Sequence, residues 1–281
     1  MKKITFFLTE FCDKKCQYCD IPLIKKKKNS DIKNIKKYIP KIKQQINKNT
    51  EIRLTGGEIG FLSKETIDYL FNELENITIN TNGFFLEKYP QYIEKCEKIY
   101  YHPSTFFSSE TKLLDYENII YQFPVINNKI DWVEDLLNTI SDETKISLLI
   151  FDDKQNTKQK FQEEILNQLE ELLWKKKFYE IDLFKNIQLN KKININLLRN
   201  ICSQKSIDLS IDFVNLKIQQ CVCSHTFSSS VDLTDENIEN FNNLKFIRSE
   251  ICGSCFHCLK LYDALIYQIK NKKNEKICFN T

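Results

Sequence analysis

The sequence predicts an α/β protein in which a parallel sheet is followed by a cysteine-rich carboxyl-terminal segment. Strand-like and helix-like segments alternate about six times over the first two thirds of the 281 residues. Such alternation is typical of parallel strands joined by right-handed helical crossovers, in a sheet that is open or curled into a barrel. Beyond about residue 178 the apolar runs become shorter and cysteines cluster, which indicates a second, smaller unit.

The individual elements follow in order from the spacing of apolar residues. Residues 3–8 form a strand-like run, and residues 31–46 repeat isoleucine at helical spacing, with Pro40 expected to interrupt or kink that helix. Ser63 is the predicted N-cap of a helix over residues 63–74. The further predicted strands lie in 51–58, 76–83, 98–104, 118–126, 145–151, 179–184, 206–213 and 215–220, and the further helices in 131–140 and 161–177.

Composition argues against some classes of protein. A net charge of +3 does not indicate a nucleic-acid partner, and no apolar run approaches the roughly 20 residues of a membrane-spanning helix. The basic run at residues 25–28 fits a solvated loop better than a phosphate-contacting patch. Because the opening residues lack the apolar core of a signal peptide, we expect a cytoplasmic protein. Its eleven cysteines then favour metal or cluster ligation over disulfides.

Three cysteines stand close together after the first predicted strand. Cys12, Cys16 and Cys19 form a CxxxCxxC pattern. A structural zinc site takes four protein ligands, and an ordinary cubane iron–sulfur cluster takes four thiolates. Three local thiolates therefore leave a position open to a group that is not protein, or they need a fourth ligand from elsewhere, and zinc stays an alternative. Their place favours a functional site, because parallel sheets and barrels carry their chemistry at the carboxyl ends of the strands.

Glycines mark the ends of the next two predicted strands. Only five glycines occur in the chain, and Gly56 and Gly57 fall together before Glu58 at the end of the second strand. A glycine pair permits close approach of the backbone to a ligand, and Glu58 adds a carboxylate that can accept hydrogen bonds from an ammonium group. Gly83 closes the third strand in a TNG turn. Three successive strand ends are therefore expected along one edge of the sheet.

Together these features resemble the radical SAM superfamily. The CxxxCxxC pattern has an aromatic residue, Tyr18, before its third cysteine, and the GGE segment matches the family's second motif in order and distance. The resemblance covers residues 3–175 and implies a partial (β/α)6 TIM-like barrel. The fifth strand, in residues 118–126, lacks a glycine-bearing motif, so the adenine and ribose contacts stay unassigned. Ser104 fits an ordinary turn better than a cofactor contact.

The resemblance also implies the cofactors and the reaction. A [4Fe-4S] cluster is expected on Cys12, Cys16 and Cys19, with S-adenosylmethionine bound to the fourth iron through its amine and carboxylate. The segment Gly56–Gly57–Glu58 is expected to receive the methionine amine, and the region of Tyr18 to lie near the adenine. One electron from the cluster would cleave the sulfonium to methionine and a 5'-deoxyadenosyl radical, which takes a hydrogen atom from the substrate.

A second group of cysteines lies in the last quarter of the chain. Its members are Cys221, Cys223, Cys252, Cys255 and Cys258. The group resembles a shortened SPASM or twitch domain, which many radical SAM enzymes that modify peptides carry. It implies a small α+β domain with one auxiliary iron–sulfur cluster, which we place at residues 191–281 after a barrel core at residues 1–190. Zinc stays an alternative, because thiolates bind both metals.

Three further cysteines, Cys96, Cys202 and Cys278, are scattered and have no assigned role. Buried free cysteines usually behave as small apolar side chains. An alternative is that one of them returns a hydrogen atom to a substrate radical, as the resemblance to peptide-epimerising enzymes would allow.

The resulting functional prediction is a radical SAM enzyme that acts on a peptide or protein. The resemblance implies a crosslink, an epimerised residue or an oxidised side chain as the product, and an electron donor such as flavodoxin or ferredoxin. A radical SAM enzyme that modifies RNA or a nucleoside is the second hypothesis. A non-catalytic zinc-binding scaffold is the third, and the glycines at the strand ends argue against it.

Overall fold

The structure is a computed structural model that describes residues 3–16, 19, 21, 24–102, 114, 116–126, 145–151, 180–184, 209–219, 230–241 and 244. The chain forms two compact units. The first joins Met1–Gln122 with Ser206–Cys252, and the second joins Phe123–Lys205 with Gly253–Thr281.

Ten strands and four α-helices are described. The strands are β1 (Lys3–Phe7), β2 (Glu51–Thr55), β3 (Ile77–Thr81), β4 (Lys98–Tyr101), β5 (Ile119–Ile126), β6 (Lys145–Phe151), β7 (Glu180–Phe184), β8 (Leu209–Asp212), β9 (Lys217–Gln219) and β10 (Ser230–Asp232). The helices are α1 (Ile32–Gln45), α2 (Lys64–Glu73), α3 (Phe84–Lys88) and α4 (Asp235–Glu239), with 3₁₀ turns at Ile59–Phe61 and Pro90–Tyr92. Within the described ranges, no helix is long and apolar enough to cross a bilayer.

The sheet of the first unit is mostly parallel. Its described strands lie in the order β10-β9-β8-β1-β2-β3-β4-β5. Every pairing from β8 to β5 is parallel, whereas β9 and β10 extend the β8 edge with antiparallel pairings. In the second unit, β6 and β7 pair in parallel. The predicted α/β class with a parallel sheet is confirmed.

The two faces of this sheet differ in polarity. Paired residues of parallel strands direct their side chains to the same face. One face therefore carries apolar rows across neighbouring strands, with buried members Ile4, Ile52, Ile77, Leu209, Phe6, Leu54, Ile79, Ile99 and Ile211. The opposite face carries polar residues such as Thr5, Arg53 and Thr78, which pair in one row. A row of polar side chains is unusual on strands with both faces buried. It indicates that this face of the sheet has a role other than packing.

Helix α1 shows one departure from the sequence prediction. Asp31 caps the helix, accepting a hydrogen bond from the Lys33 N–H at 2.9 Å. The helix is continuous through Pro40, where the sequence predicted an interruption or kink. Pro40 and Lys36 are exposed, so the carbonyl that loses its helical donor can bond to water instead.

Two other observations concern a helix cap and a strand inside the sheet. Ser63 caps α2, as predicted, and accepts a hydrogen bond from the Thr66 N–H at 3.2 Å. Strand β8 pairs with β1, with Leu209 opposite Ile4, although the sequence assigned residues beyond 190 to a separate domain. All four residues of β8 are buried, and a strand with both faces buried is stabilised by a place inside a sheet.

Candidate functional site

The loops that follow β1, β2 and β3 meet at the carboxyl ends of these parallel strands. We call this set of loops the rim: residues 8–16 and 19 after β1, residues 56–58 after β2, and residues 82–83 after β3. The rim holds the front cysteines, the glycine pair and the TNG turn that the sequence singled out. The expected arrangement of these segments along one edge is therefore observed.

The front cysteines lie on the first rim loop and are partly exposed. The Cys12 sulfur accepts a hydrogen bond from the Lys14 N–H at 3.5 Å, and the Cys19 N–H donates to the Cys16 carbonyl at 3.1 Å. Burial raises the pKa of the Cys12 thiol. Among the described residues, no group of three or more His, Cys, Asp or Glu side chains surrounds a single ion position. A cubane differs from that geometry, because each thiolate binds a different iron.

The glycine pair packs against the start of the cysteine loop. The Gly57 N–H donates to the Thr9 carbonyl at 2.6 Å, and the Glu58 N–H donates to the Phe11 carbonyl at 2.7 Å. A Cβ at Gly56 would lie 2.3 Å from the Thr9 oxygen, and one at Gly57 would lie 2.1 Å from the Phe11 oxygen. Gly56 also has a φ of +145°, which disfavours any side chain. The pair therefore permits backbone contact between two strand ends.

Glu58 joins the second strand end to the third. Its side chain is fully buried. Oε1 accepts hydrogen bonds from the Gly60 N–H at 2.9 Å and from the Thr81 hydroxyl at 3.0 Å, and Oε2 accepts one from the Asn82 N–H at 2.7 Å. Burial raises the pKa of Glu58 against the opposing effect of these donors. Donors of the chain itself thus take up most of the carboxylate's capacity for hydrogen bonds.

Asn82 joins the third strand end to the cysteine loop. Its Nδ2 lies 2.7 Å from Asp13 Oδ1 and 3.7 Å from the Cys12 sulfur. Partial burial works to raise the pKa of Asp13, but hydrogen bonds from Lys14 and Asn82 outweigh it and lower that pKa. The sequence pointed to the TNG turn through Gly83, whose φ of +109° confirms the turn. It did not point to Asn82, for which the only signal was its place beside that glycine.

Below the rim, charged side chains on the polar face are in contact. Arg53 Nη2 donates to Glu51 Oε1 at 3.3 Å, and the Arg53 guanidinium lies 4.7 Å from the centre of the Tyr100 ring. Lys98 Nζ lies 4.0 Å from Glu51 Oε2. His102 follows β4, and burial, assisted by the charge of Arg53, lowers its pKa to about 4. Its imidazole is therefore neutral at neutral pH.

The same face carries buried polar atoms that have no hydrogen-bond partner within the described parts of the chain. These atoms are Thr78 Oγ1, Asn80 Oδ1, His102 Nδ1 and Ser210 Oγ. Buried polar atoms are nearly always hydrogen-bonded in folded proteins. Water or a polar ligand on this face would satisfy them.

Other predicted residues lie outside the described residues or away from the rim. Tyr18, Ser104, Cys202, Cys221, Cys223, Cys252, Cys255, Cys258 and Cys278 lie outside the described residues. Cys96 is buried and precedes β4, so it lies at the amino edge of the sheet, opposite the rim. Burial raises the pKa of Cys96 to about 12. These properties fit a small apolar side chain and do not fit a hydrogen donor at the rim.

Comparisons with known proteins agree with this arrangement. A model of the radical SAM superfamily matches residues 6–143. The structure of Streptococcus suis SuiB bound to S-adenosylmethionine is similar, with 12% sequence identity and a TM-score of 0.56 over 85% of this chain and 65% of that chain. SuiB bound to the precursor peptide SuiA has 14% identity and a TM-score of 0.52 over 78% of this chain and 59% of that chain.

The chain thus spans less than two thirds of the SuiB chain, and at these identities the likeness concerns the fold. No curated protein sequence matches the chain. The family match includes the whole CxxxCxxC loop, the GGE segment and the TNG turn, which meet at the rim. This match argues against a non-catalytic zinc scaffold. Residues 6–143, which carry the rim, are thus similar to the radical SAM superfamily.

Proposed function

We propose that this protein is an S-adenosylmethionine-dependent radical SAM enzyme, which takes a hydrogen atom from a residue of a peptide or protein and so starts a crosslink, an epimerisation or a side-chain oxidation. The observation that carries the proposal is the rim, where the cysteine loop, the GGE segment and the TNG turn are joined by hydrogen bonds of the chain itself. Support for a peptide substrate comes from the fold shared with SuiB, one of whose structures holds the precursor peptide SuiA.

The donor set of the rim fits a cubane cluster with one open iron. Cys12, Cys16 and Cys19 supply three thiolates, each for one iron, and their partial exposure leaves room for a fourth, non-protein ligand. When bound, the cluster and S-adenosylmethionine supply a 5'-deoxyadenosyl radical as the hydrogen-abstracting group. Glu10 supports the loop, since its Oε2 accepts the Lys28 N–H at 3.0 Å.

The chain's own role at the cofactor is orientation. Gly56, Gly57 and Glu58 are proposed to receive the methionine amine, and Tyr18 to lie by the adenine. Glu58 is bound to Gly60, Thr81 and Asn82. Its contribution is therefore to hold the GGE backbone in place beside the cysteine loop. A rigid rim of this kind lowers the entropy lost when a cofactor and a substrate are aligned.

The polar face below the rim suits a substrate rich in amide groups. Thr78 Oγ1 and Asn80 Oδ1 are buried without a described partner, and they lie on the strand that ends at the rim. Backbone N–H and C=O groups of a peptide would satisfy such atoms. Arg53, which shares Glu51 with Lys98, adds a cationic group that favours an acidic residue or a carboxylate in the substrate.

The carboxyl-terminal cysteines are proposed to hold a second iron–sulfur cluster, with zinc as the other metal their thiolates would accept. The proposed ligands are Cys221, Cys223, Cys252, Cys255 and Cys258. A flavodoxin or ferredoxin is the proposed source of electrons.

The first experiment measures iron and acid-labile sulfide after anaerobic reconstitution. Wild-type protein is compared with a variant in which Cys12, Cys16 and Cys19 are all replaced by Ala. About eight irons falling to about four supports a front cluster and an auxiliary one. About four falling to none, with zinc retained, supports the front cluster and makes the tail structural. No iron in either protein would contradict the proposed cluster.

The second experiment tests the reaction and its substrate. Reduced wild-type protein is expected to release 5'-deoxyadenosine and methionine from S-adenosylmethionine, and the triple variant is expected to release neither. Candidate precursor peptides are then followed by mass spectrometry. Loss of two hydrogens identifies a crosslink or an oxidation, and uptake of one solvent deuterium identifies epimerisation. Modification of co-purified RNA, with peptides left unchanged, would contradict a peptide substrate.

A further inference from the structure

We propose that Asn82 is a positioning residue that donates a side-chain N–H to the sulfur of Cys12 and thereby raises the reduction potential of the bound cluster. This inference rests on the proposed cluster at Cys12, Cys16 and Cys19. It adds a residue from the end of β3, which lies 70 positions away from Cys12 in the sequence.

The geometry of the amide supports a shared donor. Asn82 Nδ2 carries two hydrogens. One is directed to Asp13 Oδ1 at 2.7 Å, and the Cys12 sulfur lies 3.7 Å from the same nitrogen. The second hydrogen is therefore available to the sulfur. The Lys14 N–H already approaches that sulfur at 3.5 Å, so Cys12 receives donors from both its own loop and β3.

The orientation of the amide is determined by its other contacts. Oδ1 accepts a hydrogen bond from the Phe84 N–H at 3.2 Å. An exchange of the amide oxygen and nitrogen would place an NH₂ group against that N–H and an oxygen against the Asp13 carboxylate, and both contacts would be repulsive. The Asn82 backbone N–H is held by Glu58 Oε2 at 2.7 Å. The donor is thus preorganised before any cluster binds.

The effect on the cluster follows from its charge. Reduction adds one electron to the cluster and its thiolates, and an N–H donor at a ligating sulfur stabilises the added negative charge. Asp13, beside Cys12, acts in the opposite direction, because its carboxylate is negative. Asn82 binds that carboxylate and at the same time directs a positive hydrogen toward the sulfur. Both contacts favour the reduced cluster, which is the form that donates the electron.

The test compares two substitutions of Asn82 with a control substitution on β3, the strand that ends just before Asn82. Asn82→Leu removes the donor and the acceptor without adding charge. Asn82→Asp is isosteric and keeps an oxygen for the Phe84 N–H, but it has no N–H and adds negative charge. Asn80→Leu is the control, because Asn80 lies two residues earlier on β3. The midpoint potential is measured by redox titration with electron paramagnetic resonance, on the cluster whose signal changes when S-adenosylmethionine is added.

Both Asn82 variants are expected to have a more negative midpoint potential than wild-type protein, with the larger shift for Asn82→Asp, and Asn80→Leu is expected to match wild type. Iron content and thermal unfolding are measured in parallel, since a merely structural role would change these two quantities and leave the potential of the remaining clusters unaltered.

An unchanged potential in an iron-loaded Asn82→Leu protein would overturn the inference. If Asn82→Leu fails to fold, an unchanged potential in iron-loaded Asn82→Asp protein would overturn the inference instead, because this variant retains the contact to the Phe84 N–H. Wild-type protein with no cluster that responds to S-adenosylmethionine would overturn the proposed front cluster and the inference with it. A responsive cluster in wild type with equal potentials in all variants would overturn the inference alone.

Discussion

Replacement of Glu58 by Gln tests whether the buried carboxylate holds the rim together. In wild-type protein both carboxylate oxygens accept hydrogen bonds, from Gly60 and Thr81 at Oε1 and from Asn82 at Oε2. The amide of Gln has only one oxygen. Its NH₂ group must face either the Gly60 N–H or the Asn82 N–H, so one buried backbone donor loses its acceptor in each orientation.

The size of the effect follows from that lost acceptor. A buried donor left without a partner costs about 1–3 kcal/mol, and hydrogen bonds to a charged group are stronger than those to a neutral one. The lower desolvation cost of a neutral amide offsets part of this loss. We therefore expect the free energy of unfolding to fall by about 2–3 kcal/mol, which corresponds to roughly 5–10 °C in the melting temperature.

The assay is urea unfolding at pH 7 of cluster-free wild type, Glu58→Gln and the control Glu65→Gln. Glu65 lies on α2, has a side chain that is 64% exposed, and pairs with Lys36 at 2.7 Å. An exposed pair of this kind is worth less than about 1 kcal/mol. If the Glu58→Gln protein is no less stable than the Glu65→Gln protein, the buried carboxylate does not stabilise the rim and the reasoning is refuted.

Three further predictions concern other parts of the first unit. Gly57→Ala places a Cβ 2.1 Å from the Phe11 oxygen, so reconstituted iron is expected to fall and the melting temperature to drop; full iron content would contradict this steric argument. His102 has a pKa of about 4 in the fold against about 6.5 when unfolded, so stability is expected to decrease by at most about 3 kcal/mol as the pH falls from 6.5 to 4. In urea unfolding at several pH values, the His102→Gln protein is expected to lack this decrease in the free energy of unfolding. An unchanged dependence of that free energy on pH would contradict the prediction. Cys96 has a pKa of about 12, so iodoacetamide is expected to label Cys12 and leave Cys96 unlabelled in folded, cluster-free protein, as mass spectrometry would show.

Much of the fold could be predicted because it depends on local spacing. The strand at β1, the helix at α1 and the cap at Ser63 each follow from the apolar pattern and residue types within a few positions. Pro40 does not interrupt α1, and this outcome depends on a property that is not local, because the effect of a proline depends on whether the carbonyl it deprives of a donor faces water.

The sequence by itself determined which chemistry we propose for the protein. A CxxxCxxC loop, a glycine pair and a TNG turn, each after a predicted strand, indicated the cluster, the cofactor and the family without any contact being known. Residue type and spacing suffice here, because ligand number and turn geometry are properties of short segments.

Only the tertiary structure decided how these segments support one another. It directed the Glu58 carboxylate to Thr81 and Asn82, 23 and 24 positions away, and it brought Asn82 to Cys12, 70 positions away. In the tertiary structure β8 also pairs with β1. These contacts depend on strand order and register, which arise when distant apolar rows are buried together. The residues that position the cysteine loop therefore become identifiable only when the sheet is assembled.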